Sequence, residues 1–394
     1  MNTPPPRLAI VNTHPIQYYS PLYRALADRN DLTVHVFYGW RGGGEGAYDP
    51  GFQQDVAWDV SLLEGYTHTF INNTASDPGT HHFRGLQNPT MPAVIDAWRP
   101  DVLLVFGWSF QSLLRAIRYF CSRVPILFRG DSTLLDETGG MRTWGRRFFL
   151  SWVYRHVDVA LYVGENNREY FRAHGMKAND LHWVPHAVDN ERFYDSDGTY
   201  ANKARSWRCD LGIKSDDRTI LFVGKLEPKK APDILLEAFL RAEIPDAHLL
   251  FAGSGPMEGE LKATAADHQR VHFLGFQNQS RMPVVYRLGD LFALPSRGPG
   301  ETWGLAINEA MACQRAIIAS DRVGCAHDLV DAKNGRVVEA GSTDDLQNAI
   351  ASLLNDYDRL CRMQRVSRDR IADWSVRDAA RRTQSAVSHV LNIR

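Results

Sequence analysis

Residues 290–314 read DLFALPSRGPGETWGLAINEAMACQ, and this stretch decides the fold. Its opening is an apolar run of strand length, as expected of a strand buried on both faces. A Gly/Pro loop follows, then a helical stretch from Gly304, with carboxylates at Glu301 and Glu309. Strand, glycine loop and helix in that order form the α/β unit whose ligands lie beyond the carboxyl ends of parallel strands. A helix starting near Gly304 presents free backbone N–H groups and the positive end of its dipole there, which suits a phosphate. Gly304 has no Cβ to hold that phosphate off. Glu301 from the loop and Glu309 from the second helical turn can both accept hydrogen bonds from sugar or ribose hydroxyls and flank one ligand. An arbitrary glutamate pair reads more simply as a solvated loop residue plus a lysine-paired helix residue; the setting favours the ligand reading.

Outward from this stretch the same alternation recurs. Strand-like runs stand at 7–12, 32–38, 101–107, 125–129 and 158–164 in the first half. In the second half they stand at 218–224, 247–253, 271–275, 290–295 and 315–320, with helical periodicity between. The pattern pauses in the polar stretch 189–207. The expectation is therefore an α/β chain of two Rossmann-like domains with parallel sheets. The first domain is read as 1–195, a linker as 196–215, the second domain as 216–374, and a C-terminal helix as 375–394, free to pack on either domain.

Composition narrows the function. A chain of 394 residues with a net charge of -1 is expected to hold two cores, and its surface is not built for nucleic acid. The start shows no basic-then-apolar leader, no apolar run reaches membrane-spanning length, and five scattered cysteines form no CxxC pair. Together these predict a cytoplasmic protein with reduced thiols.

A second loop, in LFVGKLEPKKAPDILLEAF (221–239), follows a strand with Lys225 and Lys230, cations suited to neutralising a diphosphate. Taken alone, Lys229 and Lys230 read as a solvated surface pair.

The segments GKLEPKK, AGSGPMEGEL, VHFLGF, DLFALPS and ETWGLAINEAMA, in this order and spacing, resemble the retaining glycosyltransferases of family 4, which have the GT-B fold. VGENNREYFRAHG and VPHAVDNERF extend the likeness upstream, and Glu301 and Glu309 match the family's E-x7-E motif. The resemblance implies a nucleotide diphosphate sugar, UDP- or GDP-linked, as co-substrate, with no metal and no other cofactor. It assigns Glu301 to the transferred sugar, Glu309 to the ribose, and Lys225 and Lys230 to the diphosphate. Lys225 replaces the more usual arginine, so a forked contact becomes a point charge. It further implies backbone contacts to phosphate at Thr302, Trp303, Gly304 and Leu305, with Gly253 and Phe276 lining the donor site. The chemistry implied is front-face transfer with retention, in which stabilising the leaving diphosphate is the main catalytic contribution. The acceptor class is a glycan, a lipid-linked or a small-molecule acceptor.

Two departures from the family stand out. LFRGDS (127–132) lacks the usual histidine, leaving Asp131 as a basic group near the acceptor or as a structural loop residue, with Arg129 beside it as an acceptor ligand. NTHPIQYYSP (12–21) replaces a Gly-rich loop, and His14 and Gln17 are either acceptor ligands or structural. Three other signals are set aside. AGSGPMEG is one residue too long for a dinucleotide fingerprint and reads as a tight turn, while GGGEG (42–46) lacks the Lys-Ser/Thr of a P-loop. Asp195-Ser196-Asp197 reads as a solvated turn rather than a metal triplet. The helix-like MRTWGRRFFLSWVYRHVD (141–158) fits either a core helix with snorkelling arginines or a peripheral contact with anionic lipid at the inner face of the membrane. The rival functions are a nucleotide-sugar epimerase or hydrolase on the same fold, which needs a clear acid/base pair, and a non-catalytic nucleotide-sugar-binding protein.

Overall fold

The computed structural model describes residues 4–42, 47–49 and 51–393. Apart from Gly42, the glycine run at 42–46 lies outside them. The strands in the first half are β1 (Arg7–Asn12), β2 (Thr33–Tyr38), β3 (Ala47–Asp49), β4 (Gln54–Val56), β5 (His68–Phe70), β6 (Val102–Phe106), β7 (Ile126–Arg129), β8 (Val159–Tyr162) and β9 (Leu181–Trp183). In the second half they are β10 (Arg218–Val223), β11 (Ala247–Ala252), β12 (Val271–Gly275), β13 (Leu291–Leu294), β14 (Ala316–Ser320) and β15 (Gly335–Val338).

The chain forms two compact units. The first comprises Met1–Ala47, Val56–His186 and Val376–Arg394. Its sheet runs β5-β2-β1-β6-β7-β8-β9, and every pairing is parallel. Val11, Leu103, Val105 and Phe128 on the strands pack against Leu113, Ile117 and Phe120 of the helix Gln111–Phe120. The second unit comprises Tyr48–Asp55 and Ala187–Ser375. Its sheet runs β12-β11-β10-β13-β14-β15, again wholly parallel. Phe222, Phe251 and Ile318 meet Leu236 and Ile350 from the flanking helices. Such doubly covered sheets need apolar residues on both faces of each strand, which is why the strands read as unbroken apolar runs. Both units are Rossmann-like, as expected from the sequence.

The unit boundaries differ from those read in the sequence. The polar stretch at 189–207 is structured: Asn190–Phe193 is a helical turn and Thr199–Asp210 a helix within the second unit. Asp195 is not a solvated turn residue. Its carboxylate accepts from the backbone N–H groups of Tyr200 and Ala201 and pairs with Arg287 at 3.5 Å. A helix start supplies orphan N–H donors, and Asp195 meets two of them. The C-terminal helix Val376–Ile393 joins the first unit, against the helix Ser20–Ala27, β8 and β9. β3 and β4 form a small hairpin, and its residues 48–55 join the second unit.

Candidate functional site

The site grows from the carboxyl ends of β10 and β13. After β10 the chain turns at Gly224, with φ +151°, and again at Ala231, with φ +53°, before the helix Pro232–Ala242. Between these turns lies Lys230. After β13 the loop carries Glu301 and ends at Gly304, whose φ of +96° opens the helix Leu305–Ala312. A side chain at 304 would also strike Val323 at 2.7 Å, so both backbone angle and space require glycine. The two loops are tied together, since Arg297 donates through its N–H to the Lys229 carbonyl (2.9 Å) and through Nε to the Pro228 carbonyl (2.7 Å).

This arrangement brings Lys230 and Glu301 into direct contact. The Lys230 ammonium lies 2.5 Å from the Glu301 carboxylate, with only 17% and 7% of the two side chains exposed. The Ser296 hydroxyl donates to the same carboxylate oxygen at 3.1 Å. Lys230 is thus no solvated surface lysine, and its charge is held by Glu301. The Glu301 loop is itself stapled. The N–H of Gly324 donates to the Glu301 carbonyl (3.0 Å) and that of Cys325 to the Trp303 carbonyl (2.9 Å). Trp303 is buried; its indole N–H donates to Asn308 (3.0 Å) and its ring lies 5.2 Å from that of Trp374. Thr302 and Leu305 are half-buried on either side.

Glu309 does lie in the second turn of this helix, but it does not stand open beside Glu301 as expected. It is buried, and the Tyr286 hydroxyl donates to its Oε2 at 2.7 Å. Its Oε1 has no hydrogen-bond partner among the described residues; the Arg192 guanidinium stands 3.6 Å away. Burial raises the Glu309 carboxyl above its usual range, against the Tyr286 hydrogen bond and the Arg192 charge. The helix is apolar on most faces, so a residue at 309 is driven inward whatever its polarity.

Lys225 is held elsewhere in the second unit. Its ammonium lies 2.8 and 3.1 Å from the two carboxylate oxygens of Asp49 and 5.0 Å from the centre of the Phe52 ring. Burial pushes the Asp49 carboxyl up, but Lys225 and the backbone N–H groups of Gly51 and Phe52 outweigh it and leave it lowered. Phe52 packs edge-on against Phe276 at 5.0 Å, and its carbonyl accepts from the Ser254 hydroxyl at 3.0 Å. Asp49 and Phe52 were missed in the sequence, because they lie far along the chain in a stretch with no strand–loop–helix signature. Gly253 has a packing reason for being glycine: a Cβ there would lie 1.9 Å from the Gly224 carbonyl oxygen.

In the first unit the candidates gather at the carboxyl ends of β1 and β7. His14 shares a 2.8 Å hydrogen bond with the Thr13 hydroxyl and meets the Trp40 ring edge-on; burial lowers its imidazole to about 4. Gln17 lies half-buried in the turn before the helix Ser20–Ala27, and Asp131 is half-buried after β7. Arg129, expected as an acceptor ligand, has both terminal nitrogens engaged by backbone. It is buried, and its two terminal nitrogens donate to the carbonyls of Val184 (3.0 Å) and Pro185 (2.9 Å). A guanidinium so engaged holds the backbone at Val184 and Pro185 in place. Beside it sequence reasoning missed His186, which is buried and stacked on Tyr19 at 5.8 Å. Burial, helped by the Arg129 charge, keeps the His186 imidazole well below its usual range.

Two further features bear on function. The helix Met141–Tyr154 buries Leu150, Val153 and Tyr154 yet leaves Met141, Trp144 and Phe148 at 92%, 75% and 80% exposure. No helix among the described residues is long and apolar enough to cross a membrane.

Comparison with known proteins follows the two units. Residues 13–187 match the glycosyl transferase 4-like domain, and residues 203–370 match the glycosyl transferases group 1. The D-inositol 3-phosphate glycosyltransferase of Nocardia farcinica is 32% identical over 213 residues, 51% of this chain and 46% of that protein. A GDP-mannose-dependent alpha-(1-6)-phosphatidylinositol monomannoside mannosyltransferase of Mycobacterium tuberculosis is 31% identical over 263 residues, 62% of this chain and 66% of that protein. The matches thus span about half to two thirds of the length of these curated relatives. The crystal structure of Anabaena HepE in complex with UDP superposes with a TM-score of 0.75 at 18% identity, covering 98% of this chain and 100% of that one. At that identity the likeness is one of fold.

Proposed function

The chain is of the GT-B glycosyltransferase type, group 1 in its second half and family 4-like in its first, and from that premise we propose that it transfers a hexosyl residue from a nucleotide diphosphate sugar to an acceptor with retention of configuration. The second unit holds the donor and the first the acceptor. The observation that carries this reading is the Lys230–Glu301 contact at a stapled loop that ends in a helix start. A diphosphate arriving there competes with Glu301 for the ammonium and releases the carboxylate to accept hydrogen bonds from the sugar. Leaving-group charge is then met by Lys230, by Lys225 and by the first N–H groups of the helix Leu305–Ala312. Glu309, one of whose oxygens has no hydrogen-bond partner among the described residues, completes the E-x7-E motif as a ribose acceptor. No metal enters this scheme, because lysines and backbone dipoles supply the positive charge.

The donor is UDP- or GDP-linked. GDP-mannose-dependent relatives support a GDP-linked donor, and a UDP-bound neighbour of the same fold supports a UDP-linked one. The pathway is glycolipid or polysaccharide synthesis, in keeping with phosphatidylinositol-mannoside relatives. The exposed Met141, Trp144 and Phe148, at i, i+3 and i+7 of one helix, favour a cytoplasmic protein resting on the inner membrane face.

Incubation with UDP- and GDP-sugars, followed by NMR of the product, tests the reading. One donor is consumed, with unchanged anomeric configuration and undiminished rate in a chelator. An inverted product or a chelator-sensitive rate contradicts it. Vesicles containing phosphatidylglycerol should retain the chain and lose Trp144→Ala/Phe148→Ala; equal retention removes the membrane contact.

A further inference from the structure

A second concave site lies in the second unit, away from the candidate donor loops. Its volume is about 320 Å³, and its lining includes Arg205, Arg208, Arg287, Arg315 and Arg368 with Asp195. Arg315 immediately precedes β14, and Asp290, the partner of Arg208, immediately precedes β13. The cavity therefore sits at the amino ends of the strands whose carboxyl ends lead to the donor loops.

Charge is the informative quantity here. Five guanidiniums face one lining carboxylate, and counting Asp290 as a second still leaves an excess of three positive charges. The two carboxylates stand off at 3.3 Å from Arg208 and 3.5 Å from Arg287, longer than the ~2.7–2.9 Å of a tight charge-assisted bond. The other donors go mainly to neutral acceptors. Arg315 donates to the carbonyls of Cys313 (2.8 Å) and Gly289 (2.6 Å), and Arg287 to those of Pro283 and Phe193 (both 2.7 Å). Arg368 lies over the Tyr194 ring at 4.5 Å. Carbonyls satisfy N–H groups but leave net charge uncompensated, and gathering like charges in a recess is costly unless an anion completes it.

We propose that this cavity binds a small, multiply charged phosphate compound, at a site distinct from the donor loops. Burial weakens the hold of Arg315 on its proton; Asp290 and Cys313 oppose this, and the nearby Arg287 and Arg208 charges add to it. Guanidinium forks match phosphate oxygens in pairs, and several phosphate charges are needed to balance the excess. The ligand is an oligophosphate, free or as the head of a small metabolite.

The test titrates sodium tripolyphosphate calorimetrically into Lys225→Ala/Lys230→Ala protein, in which the donor loops have lost their cations. One saturable, salt-sensitive site is expected to remain. Adding Arg205→Glu and Arg368→Glu, an exposed and a half-buried position, should weaken it at least tenfold, whereas Arg205→Lys/Arg368→Lys retains it. No saturable binding before the charge reversal, or equal binding after it, overturns the proposal. A second measurement uses the unaltered chain: phenylglyoxal modification of Arg205, mapped by mass spectrometry, should slow when tripolyphosphate is present. An unchanged rate overturns the proposal whatever the variants do. Adenosine triphosphate and tripolyphosphate compared side by side separate a metabolite head from a free oligophosphate.

Discussion

Replacing Lys230 by Met and Glu301 by Gln, singly and together, probes the contact on which the donor site is built. At 2.5 Å, two unit charges in an effective dielectric of 20 attract by about 7 kcal/mol before any desolvation is subtracted. Removing one partner of a buried pair costs ~3–5 kcal/mol, because the survivor is left uncompensated. Lys230 keeps 17% of its side chain exposed, so solvent reaches the pair and the lower half of that range applies. Lys230→Met should therefore destabilise by ~3–4 kcal/mol, leaving Glu301 with the Ser296 hydroxyl. Glu301→Gln should cost ~1–2 kcal/mol, since its amide oxygen still accepts from the ammonium. The double variant should be more stable than the sum of the singles by ~1–2 kcal/mol. Urea denaturation of the four proteins reads this directly. Additivity within about 0.5 kcal/mol would mean the two side chains do not meet, and the proposed exchange of Glu301 for a diphosphate would lose its basis.

Other perturbations bear on neighbouring parts of the site. A Cβ at Gly324 would lie 1.8 Å from the Thr302 carbonyl oxygen, so Gly324→Ala must displace the Glu301 loop; a stability loss of ~1–3 kcal/mol with impaired donor turnover is expected, and wild-type behaviour in both would show the loop is not stapled there. Removing Asp49 frees the Lys225 ammonium, so Asp49→Ala should tighten nucleotide diphosphate binding severalfold; weaker binding would instead make Asp49 a positioning group for the lysine. Glu309 offers a test in pH. Burial raises its carboxyl in the free protein, and a ribose hydroxyl donating to Oε1 favours the ionised form, so binding must expel a proton between the two values. Affinity then rises with pH across that interval and levels above it; calorimetry in buffers of different ionisation enthalpy detects the proton, and a heat independent of buffer contradicts the ribose contact.

Much of the fold was legible because parallel strands covered on both faces must be apolar throughout. Each of the ten runs read from the sequence holds a strand, from β1 at Arg7–Asn12 to β14 at Ala316–Ser320. The strands that escaped notice are three or four residues long, such as Leu181–Trp183 and Gly335–Val338, too short for periodicity to register. At the site, Lys230, Glu301 and Gly304 stand out as candidates in the sequence because each lies in the loop of a β–loop–α step, with the family resemblance giving Lys230 its role. Spacing does not reveal Asp49 or Phe52, which reach Lys225 and Phe276 across roughly half of the chain, nor the burial of Glu309, which depends on what Tyr286 and Arg192 bring to it. Arg129 is a related case. A polar residue ending a strand looks the same in sequence whether it faces a ligand or, as here, the carbonyls of Val184 and Pro185.

Calorimetric titration of UDP and GDP into the wild-type chain and into Lys230→Met tests the donor site most directly. One of the two nucleotides should bind once per chain, and Lys230→Met should weaken it at least tenfold, about 1.4 kcal/mol. If neither nucleotide binds, or if the bound one holds as tightly without the lysine, the site has been placed wrongly.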